Sequence, residues 1–559
     1  MRDYKELYRS WCECNTVDED TRAELLALGD NDAEISDRFY TDLAFGTAGL
    51  RGVLGAGTNR MNRYIVRKAT QGYAQYLKQT MGDEALRRGV VISHDNRRMS
   101  RAFCLETAGV LAANGIKAYI FDDLRPTPEL SFAVRHCHAV GGVMITASHN
   151  PPEYNGYKLY DEHGCQLMPR HTDVLTDIIN GISDPLSIRS LTPEQAGELI
   201  CMLDDTVDCA YYDAVMGIRL RRDVDAGALK VVYSPQHGTG NVPVRTVLER
   251  CGYHVIPVSE QCTSDENFSA TKSPNPENAV AFELALEYAR RESADIVITT
   301  DPDGDRLGVA ALRNGEYALL TGNQTGALLL HYILSYRAEQ GAIPANAVMC
   351  NTVVTSTLGD RVCEHFGVAV EKTLTGFKFI GDKLHVYEES GERTYVFGYE
   401  ESYGCLIADF ARDKDAVQAS LMLCEAAAYY KAQGKTLWDV LAECYELYGY
   451  CLDKVVSVEH KGEAGVKKIA SLLQTLRTEP PRMIGDVQVS EVEDYLSERM
   501  QSLGFPPSNV LRFLLSDGGF VAVRPSGTEP KCKYYYCMIA DSASAAEQKL
   551  AAARAIFEE

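Results

Sequence analysis

The sequence reads Gly141-Gly142-Val143-Met144-Ile145-Thr146-Ala147-Ser148-His149-Asn150-Pro151-Pro152 at the stretch from which the fold is most readily deduced. Its first five residues predict a short buried strand, and the two closing prolines prevent a helix from starting directly after it. A turn at the end of a strand lifts one small polar side chain into a cleft, and Ser148 there suits a nucleophile. Taken alone, such a loop more often satisfies only its own backbone. The other loops of the chain must therefore decide between the two interpretations.

The same alternation of strand, polar loop and helix recurs along the chain. Apolar β-branched runs at 89–93, 230–234 and 347–350 each end in a polar loop and are followed by a helical pattern. This order is typical of α/β units that carry their functional loops at the carboxyl ends of the strands. We therefore predict three related mixed α/β domains.

Length, composition and charge limit the class of protein. A chain of 559 residues with 45% hydrophobic and 24% charged residues should form three to four globular domains. Its net charge of −22 opposes binding to nucleic acid or to an anionic membrane. We expect no signal peptide, because the first residues are charged, and no membrane span. The seventeen cysteines are scattered, often within apolar stretches, which indicates reduced thiols and a cytoplasmic protein.

An acidic loop follows the strand predicted at 294–300. It carries Asp301, Asp303 and Asp305 at alternating positions on a turn tightened by proline and glycine. Three carboxylates this close repel one another unless a cation lies between them, so the loop predicts a site for a hard cation such as Mg²⁺. An EF-hand is excluded, because its sixth and twelfth positions are here arginine and leucine. A dehalogenase-type aspartate nucleophile fits less well, because Asp305 replaces the threonine of that pattern.

Three basic residues are candidates for the site. The first lies in a loop that suits a phosphate group, although an ordinary interdomain loop is the favoured explanation when this loop is taken alone. Arg51 stands among three glycines, which give the backbone the freedom to let its guanidinium reach an anion. Lys158 follows a tight turn, and Lys414 lies between two aspartates that favour its charged form.

Two later loops suit a sugar and a second phosphate. Glu400 and Ser402 offer an acceptor and a hydroxyl two residues apart, although a polar strand end explains these two equally well. The segment 523–531 combines arginine, serine, glycine, threonine and lysine on one turn, which predicts a phosphate cradle.

In this order, the loops resemble those of the α-D-phosphohexomutase family. The segments 146–151, 301–306, 398–404 and 524–531 match its phosphoserine, metal, sugar and phosphate loops, one in each domain. The motifs Glu-Glu-Ser-Tyr-Gly and Thr-Gly-Phe-Lys look most like the phosphoglucomutase branch. The resemblance implies an α/β fold of three mixed domains and a smaller α+β C-terminal domain around a central cleft. The implied domains are 1–209, 210–315, 316–446 and 447–559.

The resemblance also implies roles for individual residues. Ser148 is the residue phosphorylated in the resting enzyme, and one Mg²⁺ is held by a phosphoserine oxygen with Asp301, Asp303 and Asp305. The reacting end is lined by Arg51, His149, Lys158 and Arg306. Substrate contacts come from Thr375, Gly376, Glu400, Ser402, Arg524, Ser526, Gly527 and Thr528. Some branches place a histidine shortly after the sugar-binding serine; none is present here, so Lys158 and Lys414 become the acid/base candidates.

These roles imply a cytoplasmic phosphoglucomutase that works through glucose 1,6-bisphosphate, as a monomer or homodimer acting on small sugar phosphates. A phosphomannomutase or phosphopentomutase with the same mechanism remains open, because sugar choice rests on one or two hydroxyl contacts. A non-catalytic sugar-phosphate sensor and a metal-dependent phosphatase are the alternatives of other classes. The sensor is disfavoured, because it has no need of a nucleophile or of all three aspartates.

Overall fold

The computed structural model describes residues 3–46, 49–460, 462–525 and 531–558. The chain divides into two compact units. The first comprises Met1–Ala310, Gly381–Glu389 and Gly404–Tyr429, and the second comprises Ala311–Ile380, Ser390–Tyr403 and Tyr430–Glu559. Among the described residues, no helix is both long and apolar enough to cross a membrane.

Three helices open the chain. They are α1 (Tyr4–Glu13), α2 (Glu19–Ala27) and α3 (Asp32–Phe39). Each begins at an aspartate or asparagine whose side chain accepts backbone N–H groups of the first turn. Trp11 packs edge-on against Phe39 and Tyr64, which gives these helices a small core of their own.

A six-stranded mixed sheet follows in the first unit. Its strands and helices, in chain order, are β1 (Leu50–Val53), α4 (Arg63–Met81), α5 (Asp83–Arg88), β2 (Val90–His94), α6 (Ser100–Ala113), β3 (Ala118–Ile120), α7 (Thr127–His136), β4 (Gly141–Ile145), β5 (Tyr154–Asp161), α8 (Pro169–Asn180), α9 (Pro193–Ala196) and β6 (Ile200–Met202). The strand order is β1-β5-β4-β2-β3-β6, with β1 and β5 antiparallel to their neighbours.

The middle of this sheet places two loops side by side. β2 and β4 are parallel, with Val90 opposite Gly141 and His94 opposite Ile145, so their carboxyl ends adjoin. Both strands are fully buried, which explains their continuous apolar sequence. Gly141 is required by packing, because a Cβ there would lie 2.1 Å from the Tyr73 hydroxyl. The loops after β2 and β4 are therefore held next to each other.

A second sheet in the first unit carries the acidic loop. The elements are α10 (Asp205–Gly217), β7 (Lys230–Ser234), α11 (Asn241–Arg250), β8 (His254–Pro257), α12 (Glu283–Glu292), β9 (Ile296–Thr300) and β10 (Leu307–Arg313). The order β10-β9-β7-β8 puts the parallel strands β7, β8 and β9 together. β9 ends at Thr300, so Asp301 begins the loop at its carboxyl end, as predicted.

The rest of the chain supplies the strand β11 (Glu316–Leu320), one sheet built on three parallel strands and one antiparallel sheet. The elements are β11 (Glu316–Leu320), α13 (Gly322–Glu339), β12 (Ala347–Thr352), α14 (Leu358–Phe366), β13 (Ala369–Thr373), α15 (Phe377–Ser390), β14 (Thr394–Tyr399), β15 (Cys405–Leu406), α16 (Ala416–Lys431), α17 (Leu437–Tyr448), β16 (Tyr450–Glu459), α18 (Gly462–Thr478), β17 (Met483–Ile484), β18 (Val487–Asp494), α19 (Glu498–Ser502), β19 (Leu511–Leu515), β20 (Phe520–Pro525), β21 (Lys531–Ala540) and α20 (Ala543–Phe557). In the second unit, β12 pairs in parallel with β13 and β14, and the last sheet has the order β16-β21-β20-β19-β18-β17.

This architecture confirms the predicted fold class of mixed α/β domains with an α+β C-terminal region. The four domain boundaries stay a prediction. All seventeen cysteines lie in the described part of the chain and none forms a disulfide; Cys104, Cys350, Cys405 and Cys424 are buried, as their apolar surroundings predict.

Candidate active site

Ser148 occupies a strained turn that presents its hydroxyl to the acidic loop. Its φ of +52° is uncommon for a residue with a side chain. The backbone N–H of Ser148 donates to the Thr146 hydroxyl at 2.8 Å, which fixes the turn. The Ser148 hydroxyl donates to Asp301 Oδ2 at 3.0 Å and lies 3.1 Å from His149 Nδ1. The strain is thus combined with a hydroxyl aimed at a carboxylate, which favours a functional serine over a structural turn.

A buried arginine holds the Ser148 loop in place. Arg97, in the loop after β2, donates to the carbonyl oxygens of Ser148 (2.5 Å), Asn150, Pro151 (2.7 Å) and Tyr154 (3.1 Å). Its guanidinium also pairs with Asp95 at 3.2 Å, and both side chains are fully buried. The sequence identified this loop as polar but gave no reason to choose Arg97, because its partners are backbone atoms more than fifty residues away.

We expect Arg97→Lys to fold but to lose about 100-fold or more of its turnover. A single ammonium cannot reach four carbonyl groups that the planar fork of arginine reaches together, so the loop would lose its fixed geometry. Steady-state kinetics and a thermal melt check this, with Arg101→Lys as the control, because Arg101 contacts the carbonyl of Phe121 and not the loop. Equal loss in both variants would contradict the role given to Arg97.

The three aspartates of the acidic loop converge on one point. They are buried, and one oxygen from each lies within 4.8 Å of the others. Asp301 Oδ1 accepts the backbone N–H groups of Asp305 (3.1 Å) and Arg306 (3.0 Å), which closes the turn. Oδ1 atoms of Asp303 and Asp305 are buried and make no hydrogen bond to any described residue. Burial and the charges of its two neighbours raise the pKa of Asp301 well above its usual range. This donor set fits a hard divalent cation.

Two lysines balance part of this negative charge. Lys158 Nζ lies 2.7 Å from Asp303 Oδ2 and 3.8 Å from Asp305 Oδ2, and Lys414 Nζ lies 3.1 Å from the same Asp305 oxygen. Burial alone would lower the pKa of Lys158, but the two carboxylates outweigh it and raise that pKa. The structure therefore brings both predicted lysines to the predicted acidic loop.

Lys414 is held by a chain of contacts from β5. The Tyr160 hydroxyl donates to Asp413 Oδ2 at 2.9 Å, and Asp413 Oδ1 accepts from Lys414 Nζ at 3.2 Å. Gly404 makes room for the lysine stem, because a Cβ there would lie 2.0 Å from Lys414 Cδ. The other flanking aspartate behaves differently from the prediction: Asp415 accepts the first N–H groups of α16 and the Tyr211 hydroxyl.

The remaining predicted residues of the first unit lie around Ser148. Arg51 Nη1 donates to Asn150 Oδ1 at 3.2 Å, which connects β1 to the loop. Arg306 pairs with Glu277 beside the acidic loop. Burial and the positive charges of Arg306 and Arg51 lower the pKa of His149 well below its usual value, so its imidazole is neutral. The first unit thus gathers a hydroxyl, three carboxylates and several cations.

A carboxyl next to this site makes stability depend on pH. Glu129, in the first turn of α7, is fully buried, and burial together with the charge of Asp208 raises its pKa well above the usual range. A carboxyl with a raised folded-state pKa stabilises the fold at low pH, and this contribution is lost as the pH rises through that pKa. The free energy of unfolding of Glu129→Gln, relative to that of the wild type, should therefore be larger at about pH 8 than at about pH 5. Denaturant unfolding at both values measures the difference, and a difference that does not change with pH would contradict it.

The second unit carries the predicted sugar loops. Glu400 Oε1 accepts the backbone N–H of Gly376 at 2.7 Å, so the segments 373–378 and 398–404 meet. Thr375 Oγ1 is buried and has no hydrogen-bond partner among the described residues. Ser402 is half-buried beyond Glu400. The adjacent Glu401 has a structural role, because it accepts from the hydroxyls of Thr352 and Thr355.

Lys378 places a second positive charge near the predicted Arg524. Burial and the charge of Arg524 lower the pKa of Lys378 to about 8, so these two cations from distant segments lie near each other. The sequence placed Lys378 in a matching motif without giving it a role. Like charges gathered at one place indicate an anion site. The predicted Ser526, Gly527 and Thr528 fall outside the described residues.

Comparison with known proteins agrees with this geometry. The chain matches four domains described as phosphoglucomutase/phosphomannomutase: α/β/α domain I at residues 42–185, domain II at 210–314, domain III at 321–448 and the C-terminal domain at 463–555. It is 37% identical over 515 residues to a phosphoglucomutase of Staphylococcus haemolyticus, with 90% of this chain and 92% of that protein covered. A phosphoglucomutase of Staphylococcus aureus is also 37% identical, over 512 residues and 90% of both chains.

Solved structures show the same fold. A putative phosphomannomutase from Thermus thermophilus is similar with a TM-score of 0.70 at 24% identity, covering 93% of this chain and 100% of that one. The structure of the Paramecium phosphoprotein parafusin, a phosphoglucomutase, is similar with a TM-score of 0.72 at 18% identity. The match covers 93% of this chain and 95% of that one.

Proposed function

Because this chain belongs to the phosphoglucomutase/phosphomannomutase family of isomerase-class enzymes, we propose that it interconverts α-D-glucose 1-phosphate and glucose 6-phosphate. The observation that carries this proposal is the Ser148 hydroxyl, which lies 3.0 Å from Asp301 at the edge of a buried aspartate triad. A phosphoserine formed there would place its oxygens beside the carboxylates and the lysines. The relatives named phosphoglucomutase support glucose as the sugar.

We propose that one Mg²⁺ is held by Asp301, Asp303, Asp305 and an oxygen of phosphorylated Ser148. The two buried carboxylate oxygens that lack hydrogen-bond partners in the described chain support this assignment. When bound, the cation supplies positive charge that stabilises the transferring phosphoryl group.

The chemistry at Ser148 is proposed to run in two half-reactions. In the first, a free sugar hydroxyl attacks the phosphorus and its P–O bond forms as the bond to Ser148 Oγ breaks. The departing Ser148 oxygen takes a proton from a protein acid, and the proton of the sugar hydroxyl passes to a protein base. The product is glucose 1,6-bisphosphate, which also primes unphosphorylated enzyme. After the bisphosphate turns round, its other phosphoryl group returns to Ser148. Lys158 and Lys414 are the candidate acid/base groups, since both ammonium groups lie within 3.8 Å of Asp305. The ammonium group protonates the departing oxygen, and the resulting amine then accepts the proton of the sugar hydroxyl.

Residues of the second unit are proposed to bind the non-reacting part of the substrate. Glu400 and Ser402 would contact sugar hydroxyls, and the unpartnered hydroxyl of Thr375 supports a polar ligand there. Arg524 and Lys378 would bind the phosphate that is not transferred, with Ser526, Gly527 and Thr528 completing the cradle. Such a cradle recognises the phosphate group and not the sugar carbon that carries it. It can therefore hold the phosphate of either the 1-phosphate or the 6-phosphate ester.

We expect Lys378→Met to raise the KM for glucose 1-phosphate about tenfold, with a smaller change in kcat. The substitution keeps an unbranched side chain, one atom shorter, but removes one of two cations. A contact made equally in ground and transition states affects KM first. Lys454→Met, an exposed lysine on β16, is the control. A KM unchanged by Lys378→Met would remove this lysine from the site.

The experiment that tests the function is a coupled assay of glucose 6-phosphate formation with added Mg²⁺ and glucose 1,6-bisphosphate, run beside mannose 1-phosphate and ribose 1-phosphate. The proposal predicts the highest kcat/KM for glucose. Preference for mannose or ribose would reassign the sugar, release of inorganic phosphate would indicate a phosphatase, and binding without turnover would indicate a sensor. We also propose a cytoplasmic location and a monomer or homodimer.

A further inference from the structure

A cavity of about 450 Å³ lies in the first unit at the edge of the first sheet opposite Ser148. Asp161, at the end of β5, pairs with Gly141, the first residue of β4, whereas Ser148 follows the last residue of β4. Five residues of extended chain separate the two edges by about 15 Å. The cavity is therefore distinct from the site of the proposed reaction, and its volume is in the range of small-molecule pockets.

Aromatic and imidazole rings form much of its wall. Tyr73, Tyr76, Tyr160, His163, His171 and His385 all line it. The imidazoles of His163 and His385 stack with ring centroids 3.6 Å apart, and the Tyr76 hydroxyl lies 2.9 Å from His171 Nδ1. Burial lowers the pKa of His163 and of His171, so these rings are neutral near pH 7. The faces of neutral rings attract cations.

The carboxylates at the cavity are not equivalent. Glu162 pairs with Arg88 at 2.7 Å, and Asp382 pairs with Arg170 at 2.5 Å. Asp161 makes no ion pair within the described chain; its Oδ1 accepts only the backbone N–H groups of His163 and Cys165, each at 3.0 Å. Burial, with the charges of Asp382 and Glu162, raises the pKa of Asp161 to about 6. Arg170 also lines the cavity, but its ion pair is with Asp382. Asp161 is therefore the carboxylate of this cavity that has no ion-pair partner among the described residues.

From these contacts we propose that the cavity is a binding site for a small organic cation, an amine or protonated nitrogen heterocycle carried on an aromatic body. The ammonium group pairs with Asp161, and the aromatic body packs against the tyrosine and histidine rings. At the candidate active site the carboxylates near Ser148 already pair with Lys158 and Lys414, so the ammonium group of such a ligand meets positive charge there.

Binding at this cavity is coupled to the candidate active site through β5. Tyr160 lines the cavity and donates to Asp413, which contacts Lys414, which in turn pairs with Asp305. A ligand that shifts Tyr160 therefore changes the position of Lys414. This effect on turnover rests on the proposed function, whereas the binding itself does not.

Calorimetric titration of the full-length protein with tryptamine tests the proposal, with 3-ethylindole and indole-3-propionate as neutral and anionic probes of the same shape. We expect tryptamine to bind about tenfold or more tightly than either. Asp161→Asn, whose amide oxygen still accepts both backbone N–H groups, should remove that preference. His385→Ala, which removes one ring from the cavity wall, should weaken the binding of tryptamine several-fold. Ser148→Ala should leave binding unchanged.

Absence of tryptamine binding, or equal binding by wild type and Asp161→Asn, would overturn the site. A loss of tryptamine binding in Ser148→Ala would also overturn it, because the probe would then occupy the candidate active site. Phosphorylation of Ser148 and mutase turnover are measured separately, so a failure of either proposal is recognised independently of the other.

Discussion

Ser148→Ala is expected to abolish turnover, by at least about 10⁴-fold, while the protein stays folded. The substitution removes the atom that would carry the phosphoryl group, and no other hydroxyl of the loop can replace it, because the Thr146 hydroxyl already accepts the N–H of Ser148. The backbone strain of this turn should be about the same for alanine as for serine, since both have a Cβ at φ near +52°. The loss should therefore appear in kcat and not in the unfolding transition.

Ser93→Ala is the matched control for this experiment. Ser93 is a buried serine near the end of the neighbouring strand β2, and its hydroxyl donates to a backbone carbonyl, that of Arg125, at 2.9 Å. It should lose a fraction of its stability, on the order of 1 kcal/mol, and keep its turnover. Near-normal turnover of Ser148→Ala would refute its assignment as the nucleophile.

Asp303→Asn is the second variant with a large expected effect. Oδ2 of Asp303 accepts from Lys158 at 2.7 Å and from the Thr127 hydroxyl at 3.2 Å, and an asparagine oxygen can keep both contacts. The substitution removes one unit of negative charge from the triad and replaces a carboxylate with a neutral amide. We expect Mg²⁺ activation to weaken by about 100-fold and turnover at saturating Mg²⁺ to fall by a similar factor.

Metal titrations of activity and of thermal stability measure this effect. Asp295→Asn is the control, because Asp295 lies just before β9 and accepts the backbone N–H of Lys230 at 2.7 Å, away from the triad. An unchanged Mg²⁺ titration of Asp303→Asn would remove the acidic loop from the metal site, whatever the loss of activity.

The parts of the site that follow from short sequence segments were predictable. A buried strand closed by a turn predicted the position of Ser148, and three aspartates at alternating positions after β9 predicted the carboxylate cluster. In both cases the relevant groups lie within six residues, so strand geometry and charge repulsion are sufficient. The parallel strands then explain why the polar loops meet at one edge of a sheet.

The supporting contacts were not predictable, because they join distant segments through the backbone or through buried charge. Arg97 is recognised only when the carbonyl groups of the Ser148 loop are placed around it. Lys378, in α15, is distinguished from other lysines only by its electrostatic interaction with Arg524, which lies far along the chain in β20. The sequence suggested that both flanking aspartates favour the charged form of Lys414 alike. In the structure Asp415 instead accepts a backbone N–H group of the first turn of α16. The identity of the sugar depends on one or two contacts to its hydroxyl groups, which no sequence motif of the chain specifies.

Ser148 is expected to carry the transferred phosphoryl group. The most direct test is the intact mass of the purified full-length protein, with peptide mapping of residues 146–158, before and after incubation with glucose 1,6-bisphosphate and then with glucose 6-phosphate. We expect Ser148 to carry one phosphoryl group after the bisphosphate and to lose it to the sugar monophosphate. A Ser148 that stays unmodified under both conditions, or a phosphoryl group found on an aspartate, would contradict it.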